Sequence, residues 1–179
     1  MYSVIALTVL LSAVCFFIYY SKTFENEIIL WVGIVSFMIL YHFGLRILMG
    51  NVTKFFGVSR EMSIFRQRSF EKKIFKLLRI REWKDKVLTF DPASFDFKNR
   101  TLSQLADTMA RSELDHWINE IISVVSIFFF LIWGCFPAFF ITAVAAMIFD
   151  AQFILVQRYN RPIVLRLMER REKRTAGRS

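Results

Sequence analysis

Hydrophobic and polar positions are strongly segregated along this chain. Charged residues are absent from Tyr2–Tyr20 and again from 28–44, and each run is close to the ~20 residues that a helix needs to cross the hydrocarbon core of a membrane. A third apolar block, 121–157, contains only Asp150 as a charged residue. The three blocks predict membrane-spanning helices rather than the core of a water-soluble domain.

The third block is long enough for two helices. It is divided by Gly134-Cys135-Phe136-Pro137, where glycine and proline favour a helix break. The halves, 118–134 and 137–157, are expected to form a tight hairpin. The predicted fold class is therefore an all-α integral membrane protein with about four transmembrane helices.

The segment between the second and third spans has the spacing of an amphipathic helix. Its apolar residues fall on one helical face: Phe70, Ile74, Leu77 and Leu78. Lysine and arginine occupy much of the remaining surface, a pattern typical of a helix in the headgroup layer with its apolar face toward lipid. We therefore predict a cytoplasmic, interfacial amphipathic helix over 70–81, anchored at its end by Trp83.

The charge distribution predicts the orientation of the helices. The chain carries 24 Lys and Arg against 15 Asp and Glu, a formal net charge of +9, and most of the cations lie in 54–111 and 158–174. By the positive-inside rule these segments and both termini face the cytoplasm, and the protein lies in the cell membrane. A nucleic-acid interface is disfavoured because apolar spans flank the basic segment on both sides.

The organisation along the chain follows from these spans. We expect a two-helix hairpin over 1–50, a basic cytoplasmic or interfacial segment over 51–112, and a second hairpin with a basic tail over 113–179. The first span is expected to be a retained helix, since it lacks the basic start and the small-residue cleavage site of a signal peptide. A loop is predicted over 89–99, and the sequence Thr101-Leu102-Ser103-Gln104 has the form of a capping box that starts the next helix.

The first candidate for chemistry is a histidine between two carboxylates. Glu113, His116 and Glu120 share one stripe of a helix, which Leu105 and Met109 extend toward the N-terminus. A histidine of near-neutral pKa can take a proton from an alcohol that attacks an activated acyl group, and Glu113 or Glu120 can hold the imidazole in the required tautomer. The alternative, a polar patch where a helix enters the membrane, fits the same residues equally well.

A metal centre is disfavoured by the number of histidines. Glu-x-x-His is half of a di-iron motif, which needs a second copy on another helix. His42 is the other histidine of the chain and has no glutamate three residues before it. Cys15 and Cys135 lie inside apolar spans and form no CxxC pair, so neither a zinc site nor a disulfide framework is expected.

The second candidate is a polar cluster at the end of the last span. Arg158 and Arg161 can bind phosphate or a developing oxyanion, although arginines at this location also serve as a positive-inside stop signal. Asn160, just before Arg161 and Pro162, suggests a shaped exit of the chain. Asp150 lies two turns before Arg158 on much the same face, so a structural ion pair between them is at least as plausible as a catalytic role.

Three short motifs in order resemble the glycosyl-4,4′-diaponeurosporenoate acyltransferase family. They are Ile80-Arg81-Glu82-Trp83-Lys84-Asp85-Lys86, Arg111-Ser112-Glu113-Leu114-Asp115-His116-Trp117 and Gln157-Arg158-Tyr159-Asn160-Arg161-Pro162. The resemblance covers about 70–165. It implies a small membrane protein that moves a fatty acyl group from a donor such as an acyl thioester to a lipid-linked alcohol, with a glycosylated carotenoid as one acceptor and carotenoid biosynthesis as the setting.

The sequence thus predicts a membrane acyltransferase. His116 is the expected base and Glu113 its orienting partner, and the expected substrate-binding residues are Arg158, Asn160, Arg161, Glu120 and Trp117. No metal or cofactor is expected, the acyl thioester being a co-substrate; the expected partners are membrane lipid, the acyl donor and the alcohol acceptor. One rival hypothesis is a non-enzymatic membrane scaffold that binds anionic lipid and a partner protein. Another is an enzyme of different chemistry, a lipid methyltransferase or reductase, which is disfavoured because the sequence contains nothing that resembles a Gly-rich nucleotide loop. The oligomeric state stays open.

Overall fold

The architecture is helical throughout the part of the chain that the structure, a computed structural model, describes: residues 2–23, 26–87, 95 and 99–177. The α-helices are α1 (Tyr2–Tyr20), α2 (Glu27–Val52), α3 (Glu71–Leu77), α4 (Ile80–Trp83), α5 (Leu102–Ile127), α6 (Phe130–Trp133) and α7 (Phe136–Ala176). Short 3₁₀ turns lie at Thr53–Phe55, Ser63–Phe65 and Lys84–Lys86. The predicted loop over 89–99 falls mostly outside the described residues.

Four helical stretches are long and apolar enough to cross a membrane. They are Ser3–Tyr20, Glu27–Phe55, Leu102–Trp133 and Phe136–Ala176. This confirms the prediction of an all-α membrane protein with four candidate spans. The orientation of these spans, and hence the cytoplasmic placement of both termini, stays a prediction.

The chain divides into two compact units, each made of two separate stretches of sequence. One unit, here called the apolar unit, comprises 1–52 and 117–150; the other, the basic unit, comprises 53–116 and 151–179. Helices α5 and α7 contribute residues to both. The three consecutive segments predicted from the sequence stay a prediction.

The apolar unit is held together by close helix contact and aromatic packing. Gly33 of α2 faces α1 so closely that an added Cβ would lie 3.1 Å from Cys15 Cβ. The buried core of this unit comprises Leu30, Ile34, Met38, Ala138 and Phe139. Small residues at a helix contact let two backbones approach, which is how helices associate where lipid removes the hydrophobic driving force.

The predicted break in the third apolar block is confirmed. α6 ends at Trp133 and α7 begins at Phe136, and Gly134 and Cys135 between them have φ angles of 70° and 51°. Both φ angles are positive, and glycine, which has no Cβ, adopts such an angle without steric cost. The chain therefore reverses at this point as the glycine and proline indicated.

The basic unit has its core where the sequence placed the apolar stripe of α5. Leu105, Ala106, Met109 and Val164 form its buried cluster, with Phe95 packed against it. The capping box is confirmed at the start of α5. The backbone N–H of Gln104 donates to the Thr101 hydroxyl (3.2 Å), and the backbone N–H of Thr101 donates to the Gln104 side chain (3.1 Å).

The single helix predicted over 70–81 is wrong, because α3 ends at Leu77 and α4 begins at Ile80. Arg79 between them has a φ of 50°, and the indole N–H of Trp83 donates to the Leu78 carbonyl (2.8 Å), one of the carbonyls that the end of α3 leaves without a helical partner. The reversal buries Ile80 completely. Burial of that side chain favours the break over a continuous helix.

The apolar face predicted for this segment is left exposed. Its exposed side chains are Phe70, Ile74, Leu77 and Leu78. The side of α3 that packs on the protein carries Phe75 and Glu71 instead. An interfacial position of the exposed face stays a prediction.

The last helix extends well beyond the predicted span of 137–157. α7 continues through Pro162 to Ala176, although proline lacks the N–H that the carbonyl of Arg158 would accept in a regular helix. Arg161 and Val164, on either side of Pro162, are both buried. Their packing stabilises the helix across the proline. Where the sequence suggested a shaped exit of the chain, the structure therefore has a helix that continues.

Candidate functional site

Glu113 is the centre of a buried ion-pair cluster in the basic unit. Its side chain is fully buried, and its two carboxylate oxygens have different partners. Oε1 accepts from Nε of Arg158 (2.7 Å), and Oε2 accepts from Nη1 of Arg161 (2.5 Å). Charge-assisted hydrogen bonds of this kind are among the strongest polar contacts in proteins, and a buried carboxylate needs such partners to stay charged.

The two arginines project from α7 three residues apart and make further contacts. Arg158 also donates to the carboxylate of Glu71 and to the carbonyl of Ile64 (2.8 Å). Arg161 donates to the carbonyl of Phe65, with its guanidinium carbon 5.2 Å from the centre of the Phe65 ring. Two glutamates and two arginines thus balance in charge, and their hydrogen bonds connect α3, α5, α7 and the turn at Ser63–Phe65.

His116 lies one turn after Glu113 on α5 and is half-buried. Its imidazole stacks on the Phe153 ring with centroids 4.4 Å apart and the planes within 5° of parallel. This stacking fixes the plane of the imidazole against α7. The role of His116 as a base, and that of Glu113 as its orienting partner, stay predictions.

The other residues predicted for the site are distributed over both units. Asn160 lies on α7 between the two arginines, half-buried, in the basic unit. Trp117, which is 43% exposed, and the half-buried Glu120 belong to the apolar unit. The structure therefore brings together Glu113, Arg158 and Arg161 from the predicted set.

Sequence reasoning missed Glu71 and the backbone acceptors. Glu71 is the one acidic residue in the basic stretch 70–81, and that isolation was the available signal of a specific partner. The carbonyls of Ile64 and Phe65 carry no signal in the sequence, because every residue has a carbonyl. A second missed contact is the salt bridge of Arg60 with Asp107 (2.8 Å), in which the backbone N–H of Arg60 also donates to Asp107 (3.0 Å).

The alternative in which Asp150 is the structural partner of Arg158 is wrong. Asp150 is fully buried in the apolar unit, where it forms a salt bridge with Arg46 of α2 and accepts from the side-chain amide of Asn119 (3.4 Å). Arg158 pairs with Glu113 and Glu71 instead. The spacing of residues along α7 placed Asp150 and Arg158 on much the same face of that helix. It could not show which helix packs against each of them.

A groove of about 950 Å³ opens on the basic unit. Its charged lining residues are Arg60, Glu61, Arg66, Lys72, Lys76, Arg79, Arg81, Glu82, Arg161, Arg166 and Glu169. Arg161 thus borders the groove and also binds Glu113. Among the described residues no group of three His, Cys, Asp or Glu side chains is arranged to hold a metal ion.

Comparison with known proteins identifies a family. Neither the curated proteins nor the solved structures contain a match to this chain. The sequence model of the glycosyl-4,4′-diaponeurosporenoate acyltransferase family matches residues 61–170, more than half of the chain. That range contains the cluster around Glu113, His116 and most of the groove. The chain therefore belongs to the glycosyl-4,4′-diaponeurosporenoate acyltransferase family.

Proposed function

We propose that this protein is a membrane acyltransferase that moves a fatty acyl group from an activated donor to a hydroxyl of a glycolipid-like acceptor. Membership of an acyltransferase family supports the reaction class. Four candidate membrane spans support a lipid-soluble acceptor, because an amphiphilic alcohol partitions into the bilayer that the spans occupy. A glycosylated carotenoid is the acceptor that the family description favours.

The observation that carries the proposal is the convergence of two family motifs beside His116. Glu113, from the 111–117 motif, binds Arg158 and Arg161, from the 157–162 motif. These ion pairs lie one helical turn from the imidazole. Buried charge networks restrict the rotamers of every member, and a catalytic base needs such a rigid support.

In the proposed mechanism His116 takes the proton of the acceptor hydroxyl. The hydroxyl oxygen attacks the thioester carbonyl, the carbon–sulfur bond breaks, and the imidazolium returns the proton to the leaving thiolate. An ester and a free thiol are the products. Because Glu113 binds both Arg158 and Arg161, we assign these two arginines to positioning α7 against α5 and keep Glu113 as the orienting partner of His116. Asn160, Trp117 and Glu120 are assigned to contacts with substrate.

The proposed orientation places the basic unit at the cytoplasmic surface of the cell membrane. The concentration of lysine and arginine in 54–111 and 158–174 supports this side by the positive-inside rule. A water-soluble thioester in the cytoplasm then meets the acceptor hydroxyl at the level of the headgroups.

The test is mass spectrometry of lipids extracted from host cells that make the acceptor and express wild type, His116→Ala or His116→Gln at matched membrane levels. Wild type is expected to yield a lipid heavier by one fatty acyl group, and both variants to reduce its amount by at least about 100-fold, the scale of general-base catalysis. Glutamine retains size and hydrogen bonding but accepts no proton. Full product with either folded variant contradicts the role of His116, and no new lipid with wild type contradicts acyl transfer.

The exposed apolar face of α3 favours one rival, a scaffold that binds anionic lipid. Ile74 and Leu77 of α3, and Phe70 just before it, are exposed beside the lysines of this helix. A scaffold predicts that reversing the charge of those lysines abolishes function while His116→Ala has no effect. The acyltransferase predicts loss of product with His116→Ala, so one set of variants separates the two functions.

A further inference from the structure

Five cations of the groove have no carboxylate partner within the part of the chain that the structure describes. They come from the segment before α3, from α3, α4 and α7, and are Arg66, Lys72, Lys76, Arg81 and Arg166. Like charges that lack a partner repel one another. A concave surface that gathers several cations is therefore stabilised when an anion binds there. Three carboxylates also border the groove, namely Glu61, Glu82 and Glu169.

The groove has the size and walls of a ligand site. Its volume of about 950 Å³ is at the upper end of the range typical for small-molecule and cofactor pockets. The half-buried Tyr159 lies on its wall and packs edge to face on the buried Phe75, with ring centres 5.5 Å apart. Lysine and arginine bind phosphate, and aromatic faces accept a nucleotide base.

We propose that this groove binds the phosphate groups of the acyl donor, which identifies the donor as a coenzyme A thioester. The inference rests on the proposed acyl transfer. The groove connects to the candidate site through Arg161, which borders the groove and binds Glu113, one turn from His116. A donor held by its phosphates on the basic unit is thereby held on the same unit as the proposed base.

The same cations also suit the phosphate of an anionic lipid headgroup. The test therefore uses coenzyme A without an acyl chain, and full-length protein in nanodiscs of phosphatidylcholine, which contain no anionic lipid. Binding is measured by calorimetry at low and high salt, since the attraction weakens as salt screens exposed charges.

The chain offers matched control positions. Lys73 lies on α3 between Lys72 and Lys76, is exposed, and does not line the groove. Arg68 is the corresponding control for Arg66, because it lies two residues away, is exposed, and does not line the groove. Lys72→Gln with Lys76→Gln, and separately Arg66→Gln, are compared with Lys73→Gln and Arg68→Gln. Thermal unfolding of each variant checks that the fold is retained.

We expect the double groove variant to bind coenzyme A about tenfold more weakly than wild type, because charge-assisted contacts to phosphate are lost. Each control variant is expected to stay within about twofold of wild type. Dephospho-coenzyme A, which lacks one phosphate, is expected to bind wild type more weakly. Equal affinities of groove and control variants, or wild-type binding weaker than about 1 mM, overturn the proposal.

A second measurement distinguishes a lipid headgroup from coenzyme A as the ligand of the groove. Native mass spectrometry measures how much phosphatidylglycerol the detergent-solubilised protein retains. Loss of retained phosphatidylglycerol from groove variants, with coenzyme A affinity unchanged, identifies a lipid headgroup as the ligand and overturns the proposal. Coenzyme A carries no acyl group, so its binding does not require turnover. If coenzyme A binding depends on the groove residues but no acylated lipid is formed, the proposed reaction is contradicted. The proposal of a phosphate-binding groove is supported in that case.

Discussion

Glu113 on α5 and Arg161 on α7 form an ion pair in which the side chains are 0% and 2% exposed. Arg158 binds the other carboxylate oxygen of the same glutamate. Removing one partner of a buried pair costs more than the pair itself contributes, because the remaining charge stays desolvated without compensation. A single substitution at Glu113 is therefore expected to disturb the basic unit strongly.

Replacing Glu113 by glutamine is expected to lower the free energy of unfolding by roughly 3–5 kcal/mol, since two arginines lose their shared carboxylate. Thermal unfolding in detergent measures the change. Glu61→Gln is the control, because its side chain is 80% exposed and its contact with Arg60 spans 3.9 Å. Equal melting temperatures of the two variants would show that the cluster does not stabilise the fold.

The salt bridge of Arg46 with Asp150 is expected to show strong coupling, because both residues lie in candidate membrane spans. Asp150→Asn and Arg46→Met should each destabilise the protein, and the double variant by less than the sum. The expected coupling energy is about 0.5–3 kcal/mol. A double-mutant cycle on melting stability measures it, and simple additivity speaks against a direct ion pair.

Gly33→Leu is expected to weaken the contact of α1 with α2. An added Cβ alone already lies 3.1 Å from Cys15 and 3.3 Å from the Phe16 ring, so a longer side chain must push the helices apart. Gly44→Leu on the same helix is the control, since no atom lies within 4 Å of an added Cβ there. Detergent resistance should fall for Gly33→Leu and stay unchanged for Gly44→Leu.

The orientation of the spans can be tested by cysteine labelling. In a Cys15→Ala, Cys135→Ala background, Lys73→Cys should react with a membrane-impermeant maleimide only when the cytoplasmic face is exposed, as the positive-inside rule requires. Lys22→Cys, in the loop after α1, should react from the opposite side. Labelling of both from one side would contradict the proposed arrangement.

Local patterns determined the elements that depend on few neighbours in sequence. Charge-free runs predicted the spans, the glycine and proline at 134–137 predicted the break before α7, and Thr101 with Gln104 predicted the start of α5. Each of these follows from membrane thickness, backbone sterics or a hydrogen bond between residues three apart. Such constraints involve residues that are close together in the sequence, so they can be deduced from it.

The partners of the buried charges were decided by tertiary structure. Asp150 faces Arg46 rather than Arg158, and Arg158 faces Glu113 and Glu71, residues far from it in sequence. The break at Arg79 likewise depends on the burial of Ile80 by distant residues. The sequence by itself therefore determined which segments are helical and apolar, whereas only packing between distant segments decided which charges meet, because a side chain pairs with whatever the fold places opposite it.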